Sequence, residues 1–223
     1  MLSADEIRAN YAAVLARIDA ACRRAGRDSA DVTLVTVTKT FPAAAVEAAI
    51  AAGATDVGEN RVQEGRDKKP LVSGSARWHL IGHLQTNKAR DAVRLFDVIH
   101  SVDSLDLAQK LARAAEKEQK RQQVLLEVNI GMEPQKSGVH PDQVQALVSE
   151  IRSIEALGLR GLMAIPPQGE PEETRRWFRA LRQLRDQAGL EQLSMGMTDD
   201  FEVAIEEGAT IVRVGRAIFG ARG

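Results

Sequence analysis

V-T-L-V-T-V-T-K-T-F-P, residues Val32–Pro42, runs through strand-forming residues, reaches a lysine, and meets a proline that opens an alanine-rich helical pattern. It reads as a strand that carries Lys39 at its C-terminal end and hands over to a helix. Outward from it the same alternation recurs. Short apolar runs stand at Val32–Val37, Thr55–Val57, Arg77–Leu80, Asp97–His100, Val124–Val128, Gly158–Met163, Gln192–Ser194 and Thr210–Val214. Helical patterns fall between them at Pro42–Ala52, Arg61–Leu71, Asn87–Leu95, Ser104–Lys120, Pro141–Ser153, Pro171–Ala188 and Asp199–Glu207. Strand–helix alternation implies a parallel sheet with helices outside it. Eight units in this length match a single (β/α)8 TIM barrel, of class α/β. A doubly wound open sheet is the alternative, but it calls for a glycine-rich first turn, and Lys39-Thr40-Phe41-Pro42 has no glycine.

An extra N-terminal helix precedes the first strand. Ser3 and Glu6 form a capping box, and Ile7, Tyr11, Val14, Leu15, Ile18 and Cys22 follow at helical spacing. The last strand has no long helix after it, so this first helix is expected to cover the gap. No linker or low-complexity segment interrupts the chain, and residues 1–223 are expected to form one domain.

The 223 residues carry 30 Lys plus Arg and 31 Asp plus Glu, so no basic excess points to nucleic acid or an anionic membrane. Cys22 is the only cysteine, which excludes an internal disulfide and fits a reducing compartment. With no signal-like N-terminus and no bilayer-length apolar run, a cytoplasmic protein is expected.

In such barrels the active site lies at the C-terminal ends of the strands. An amine there, ringed by low-dielectric walls, can lose its proton and condense with a carbonyl. Taken alone, Lys39 reads as a solvated strand-end lysine, because lysines are mostly exposed. The loops after strands seven and eight, S-M-G-M-T (Ser194–Thr198) and V-G-R-A-I-F-G (Val214–Gly220), add glycines where this fold commonly binds phosphate. A phosphate plus an aldehyde describes pyridoxal 5′-phosphate, and phosphorylated sugars with a carbonyl fit as well.

The segments V-T-K-T (37–40), G-E-N-R-V-Q-E (58–64), W-H-L-I-G-H-L-Q-T-N-K (78–88), G-L-M-A-I-P (161–166), L-S-M-G-M-T-D-D (193–200) and V-R-V-G-R-A-I-F-G (212–220) resemble the pyridoxal phosphate homeostasis protein family, also described as proline synthetase co-transcribed proteins. The likeness spans nearly the whole chain. It implies the barrel of alanine racemase without that enzyme's second domain, and pyridoxal phosphate held as a Schiff base on Lys39. By the same likeness Ser194 and the backbone N–H groups of Gly215 and Arg216 hold the phosphate, Arg213 faces the pyridine nitrogen, and Asn60 lines the cofactor face. Two positions depart from the family pattern. Arg61 stands where an aromatic residue is usual, and Arg216 where Ser or Thr is usual.

The resemblance implies a carrier that buffers this reactive aldehyde, passes it to apo-enzymes and bears indirectly on amino-acid and keto-acid balance, and a monomer is expected because no partner chain is needed to complete the pocket. Arg213 cannot protonate the ring nitrogen, which weakens the electron sink that carbanion chemistry needs. Tyr11, the only tyrosine, falls on the apolar side of the first helix and reads as core. The rivals are a pyridoxal-phosphate-dependent racemase or lyase, a Schiff-base aldolase on a phosphorylated sugar, and an interaction domain with an empty pocket. Lys136, in E-P-Q-K-S-G-V after strand five, is either a transient acceptor for the departing cofactor or a solvated loop lysine. His79 and His83, in H-L-I-G-H, lack the glutamate and the helix of a zinc motif, so no metal is expected and a supporting or packing role is.

Overall fold

The structure is a computed structural model and describes residues 2–220. Eight parallel strands close into a barrel: β1 (Thr33–Val37), β2 (Asp56–Glu59), β3 (Arg77–Leu80), β4 (Val98–Val102), β5 (Gln122–Glu127), β6 (Leu157–Met163), β7 (Gln192–Ser194) and β8 (Ile211–Val214). β1 closes the ring, pairing Val37 with Gly58 of β2 and Val35 with Arg213 of β8. Around it lie α1 (Ala4–Arg24), α2 (Ala43–Ala51), α3 (Val62–Lys68), α4 (Ala89–Leu95), α5 (Leu105–Lys117), α6 (Val144–Arg152), α7 (Pro171–Gln187), α8 (Phe201–Glu206) and a short α9 (Arg216–Phe219). Every strand expected from the sequence is present. The helices shorten where their ends tighten into 3-10 turns, at Lys69–Leu71 around Pro70 and at Pro141–Gln143.

α1 starts as its cap dictates. Ser3 N donates to Glu6 Oε2 at 2.7 Å, and Glu6 N donates back to Ser3 Oγ at 3.3 Å. Its buried stripe, Ile7, Tyr11, Val14, Ile18 and Cys22, packs on α2, α8 and α9 and covers the seam between the last and first units. Leu15, expected on that stripe, is instead 43% exposed, one position past Val14 and turned to solvent. Tyr11 is core, its hydroxyl donating to Gly53 O at 3.3 Å.

Strand residues alternate between two cores. Outward positions join the helix–sheet layer, while Val35, Val37, Ile81, Val98, Leu125, Met163 and Ile211 form a separate cluster inside the barrel. On the same inward faces stand the buried polar residues Asp56, His79, His100, Ser194 and Arg213. The barrel interior is thus part oil and part hydrogen-bond network, and the network leads to its mouth.

Candidate functional site

At the C-terminal ends of the strands lies a cavity of about 630 Å3. Lys39, Asn60, Arg213, Gly215 and Arg216 all line it, brought together from β1, β2 and β8. Thr198 of the loop after β7 joins the same wall.

The backbone at Lys39 is held from both sides. Before it, Thr38 O accepts from Lys68 Nζ at 2.8 Å, and Lys68 also donates to Glu59 Oε1 at 2.8 Å. Thr38 Oγ1 donates to the same carboxylate oxygen at 2.6 Å. After it, Thr40 sits at φ 69, a left-handed conformation costly for a β-branched residue, and its N–H donates to Glu64 Oε1 at 2.7 Å. Glu59 is fully buried, and burial outweighs Lys68 and Thr38 in holding its carboxyl above the ordinary value. Lys39 itself is half-buried. Sequence reading missed Glu59 and Lys68. The signal was present: a glutamate ending an otherwise buried strand and a lysine on the inner side of the following helix.

Asn60 follows β2 and packs so closely on Gly82 that a Cβ there would lie 2.2 Å from Asn60 O. Arg61 points outward and begins α3, its N–H donating to Glu64 Oε2 at 3.1 Å.

The two glycine loops lie on the other flank of β1, after β7 and β8. Gly196 has φ 89, and a Cβ on it would come within 2.5 Å of Ala204 Cβ. After β8 the first bond of α9 is Ile218 N to Gly215 O at 2.9 Å, so the N–H groups of Gly215, Arg216 and Ala217 precede the helix's own ladder. Arg216 extends its guanidinium to the rim, where it pairs with Asp199. That contact runs from the β8 loop to the β7 loop.

Ser194, expected at the phosphate, lies instead beneath the wall. It is fully buried, accepts from Arg213 Nη1 at 2.7 Å, and meets His100 Nδ1 at 2.9 Å. From the loop after β7 it is Thr198 that brings a hydroxyl to the wall. His100 Nε2 faces His79 Nδ1 at 2.9 Å, and His79 Nε2 faces Asp56 Oδ1 at 2.8 Å. Arg213 also donates to Ala164 O at 3.1 Å. Burial brings Arg213 down to about 10, against Asp200 and Glu127, so it remains a cation at neutral pH. His79 and His83 do not converge: His79 is inside the barrel, and His83 lies at the mouth 3.2 Å from Ser137 Oγ. Lys136 donates to Pro166 O at 3.0 Å and pairs with Glu133.

The closed parallel barrel, with Lys39 and the β8 loop on one cavity, belongs to the alanine racemase class of barrels, as the family match shows. Residues 5–223 match the family described as alanine racemase, N-terminal domain. An alanine racemase of Clostridium difficile superposes with a TM-score of 0.74 at 16% identity, over 98% of this chain and 57% of that one, a likeness of fold. Within that class the chain belongs to the pyridoxal phosphate homeostasis protein family. The relative of that name from Pseudomonas aeruginosa is 46% identical over 97% of this chain and 96% of its own length. PipY of Synechococcus elongatus, solved with PLP bound, is 39% identical with a TM-score of 0.81, over 92% of this chain and all of that one. The Pseudomonas aeruginosa relative is named for homeostasis and not for a reaction. No helix among the described residues is long and apolar enough to cross a membrane.

Proposed function

We propose that this chain holds pyridoxal 5′-phosphate in the mouth cavity, joined to Lys39, and acts in the cytoplasm as a monomeric buffer and carrier of that cofactor. The carrying observation is that Lys39, Arg213, Gly215 and Arg216 line one cavity. The cavity's volume and donor set suit a phosphorylated aromatic aldehyde, and PipY was solved with PLP bound.

Gly215 and Arg216 would supply backbone N–H donors to the phosphate, with the Thr198 hydroxyl on the same cavity wall. Ser194 supports that site from below by holding Arg213. Bound, the cofactor supplies an aldehyde that condenses with an amine and a ring that draws in electrons once its nitrogen is protonated. Arg213 only donates and keeps its proton, so it favours an unprotonated ring nitrogen and a weak sink. Tyr11, tied to Gly53 under α1, is not on the cavity wall and offers no acid–base group there. Both features favour retention over turnover.

The test is spectral and covalent. The protein incubated with pyridoxal phosphate should turn yellow, and borohydride should fix the label on Lys39 in peptide maps. Label on another residue, or unchanged retention by Lys39→Ala, rejects the reading. Deuterium exchange at the α-carbon of several amino acids checks the carrier role, which rapid exchange would overturn.

A further inference from the structure

Among the described residues, four lysines and arginines line the mouth cavity: Lys39, Lys136, Arg213 and Arg216. Arg213 is buried and donates to Ser194 Oγ and Ala164 O, so it turns only by breaking bonds inside the barrel. Lys136 is held by Glu133 and by Pro166 O. Arg216 is placed differently. It is exposed at the rim, and its Nη2 donates to Oδ2 of Asp199, which is exposed as well. Asp199 lines the same cavity, next to Thr198. The neighbouring Asp200 is turned to its own loop, accepting from Met197 N at 2.6 Å.

An exposed ion pair is weak, because both partners are well solvated when apart. Asp199 therefore holds Arg216 loosely. A phosphate monoester carries more charge than a carboxylate and offers three acceptor oxygens. A planar guanidinium can meet two of them with parallel N–H bonds. Such an anion competes well against a solvated carboxylate for the same side chain. The backbone makes the exchange local. The N–H of Arg216 lies ahead of the first ladder bond of α9, from Ile218 N to Gly215 O. An anion accepted at that N–H lies within one side chain's length of the same residue's guanidinium.

We propose that Arg216 is a movable phosphate clamp, whose guanidinium leaves Asp199 for the phosphate group of the ligand, with Asp199 as the competing anion. The identity of that ligand as pyridoxal phosphate rests on the function proposed above; recognition of a phosphate by Arg216 is tested without it. The exchange selects the phosphate ester over the free aldehyde. It also limits retention, because the loaded site leaves Asp199 unpaired beside an anion. That suits a protein that must let its ligand go.

The test titrates the yellow absorption with pyridoxal phosphate and with pyridoxal, which lacks the phosphate. Asp199→Asn should tighten pyridoxal phosphate by up to about fivefold and leave pyridoxal unchanged. Arg216→Gln made alone would also unpair Asp199, so it is made in the Asp199→Asn protein. There it should weaken pyridoxal phosphate about tenfold or more. Arg216→Lys in the same background keeps the charge, loses the fork and should recover only part of that loss. Unchanged affinity for pyridoxal phosphate after Arg216→Gln in that background, or an equal loss for pyridoxal, overturns the proposal. Inorganic phosphate, followed by phosphorus NMR line broadening, separates the two readings. If the unsubstituted protein takes up no pyridoxal phosphate while Arg216→Gln abolishes broadening in the Asp199→Asn protein, the cofactor reading fails and the clamp stands. If borohydride labels Lys39 in every variant while neither phosphate ligand responds to Arg216→Gln, the clamp fails and the cofactor reading stands.

Discussion

His79 Nδ1 and His100 Nε2 face each other at 2.9 Å inside the barrel, and the direction of that one bond is set by the residues at either end. Arg213 can only donate, so Ser194 Oγ accepts from it. Asp56, ionised, can only accept, so His79 Nε2 carries a proton toward it. With neutral rings, His79 Nδ1 must then accept from His100 Nε2–H, and His100 Nδ1 must accept the Ser194 hydroxyl proton. Five side chains thus point one way, from the cation at the mouth to the carboxylate at the other end of the wire.

This arrangement makes stability fall with acid. Burial, with His79 and Arg213 adding, holds His100 well below the ordinary histidine value. The native state therefore refuses a proton that the unfolded chain takes up below about pH 6.5, and stability present above that value is lost as pH falls beneath it. Burial alone would raise Asp56, but its hydrogen bonds from His79 and Thr55, with Arg77, leave it lowered, so its contribution is lost at still lower pH. Urea denaturation from about pH 7.5 to about pH 4 should show this decline, and His100→Asn should flatten its upper part. An unchanged slope in that variant would contradict the assigned proton positions.

Glu127 runs the other way. Its carboxyl is raised from 4.5 to about 7, so the folded state keeps a proton that the unfolded chain has shed. Its stabilising contribution is full below about pH 4.5 and is lost as pH rises through about 7. Glu127→Gln should consequently stabilise the protein by up to about 3 kcal/mol near pH 8.5 and by almost nothing near pH 4.5. Thermal melts at the two pH values read the difference.

Lys68 is expected to matter more than its place on a helix suggests. Lys68→Met removes the partner of a fully buried Glu59 and frees Thr38 O, a loss of about 3–5 kcal/mol. The adjoining double variant Glu59→Gln/Lys68→Met should recover part of that stability, because no buried charge is then left unpaired. Slower borohydride capture at Lys39 in both variants would separate positioning from mere stability.

Gly196→Ala places a methyl 2.5 Å from Ala204 Cβ at a φ of 89. We expect a loss of about 1–3 kcal/mol from the backbone alone, and weaker retention of pyridoxal phosphate because the β7 loop must shift. Equilibrium dialysis against the cofactor measures the second effect.

By contrast Asp199→Asn should change stability by less than about 1 kcal/mol. The Arg216–Asp199 pair is exposed, with side-chain accessibilities of 56% and 71%, and such pairs contribute little. A larger loss in chemical denaturation would mean that the contact braces the two loops.

The barrel and its lysine were legible because both depend on local pattern. Period-two and helical repeats name strands and helices one at a time, and Lys39 sits at the end of the first strand whatever the others do. Asn60, Gly215 and Arg216 were named through the family resemblance, and they line the same cavity as Lys39. Ser194 was named in the same way and does not. Its hydroxyl is spoken for by His100, 94 residues earlier in the chain, and by Arg213 on the neighbouring strand. His79 gave a visible signal, a polar residue at an inward strand position, but no partner could be named for it.

Sequence alone determined the order of strands and helices, the closed parallel barrel and the strand end that carries the lysine, since periodicity, caps and turn glycines act within a few residues. Only the tertiary structure decided which inward side chains meet. Barrel closure and strand stagger bring Asp56, His79, His100, Ser194 and Arg213 into one hydrogen-bonded line and leave Glu127 Oε2 without a partner, because those contacts join residues that no local pattern relates.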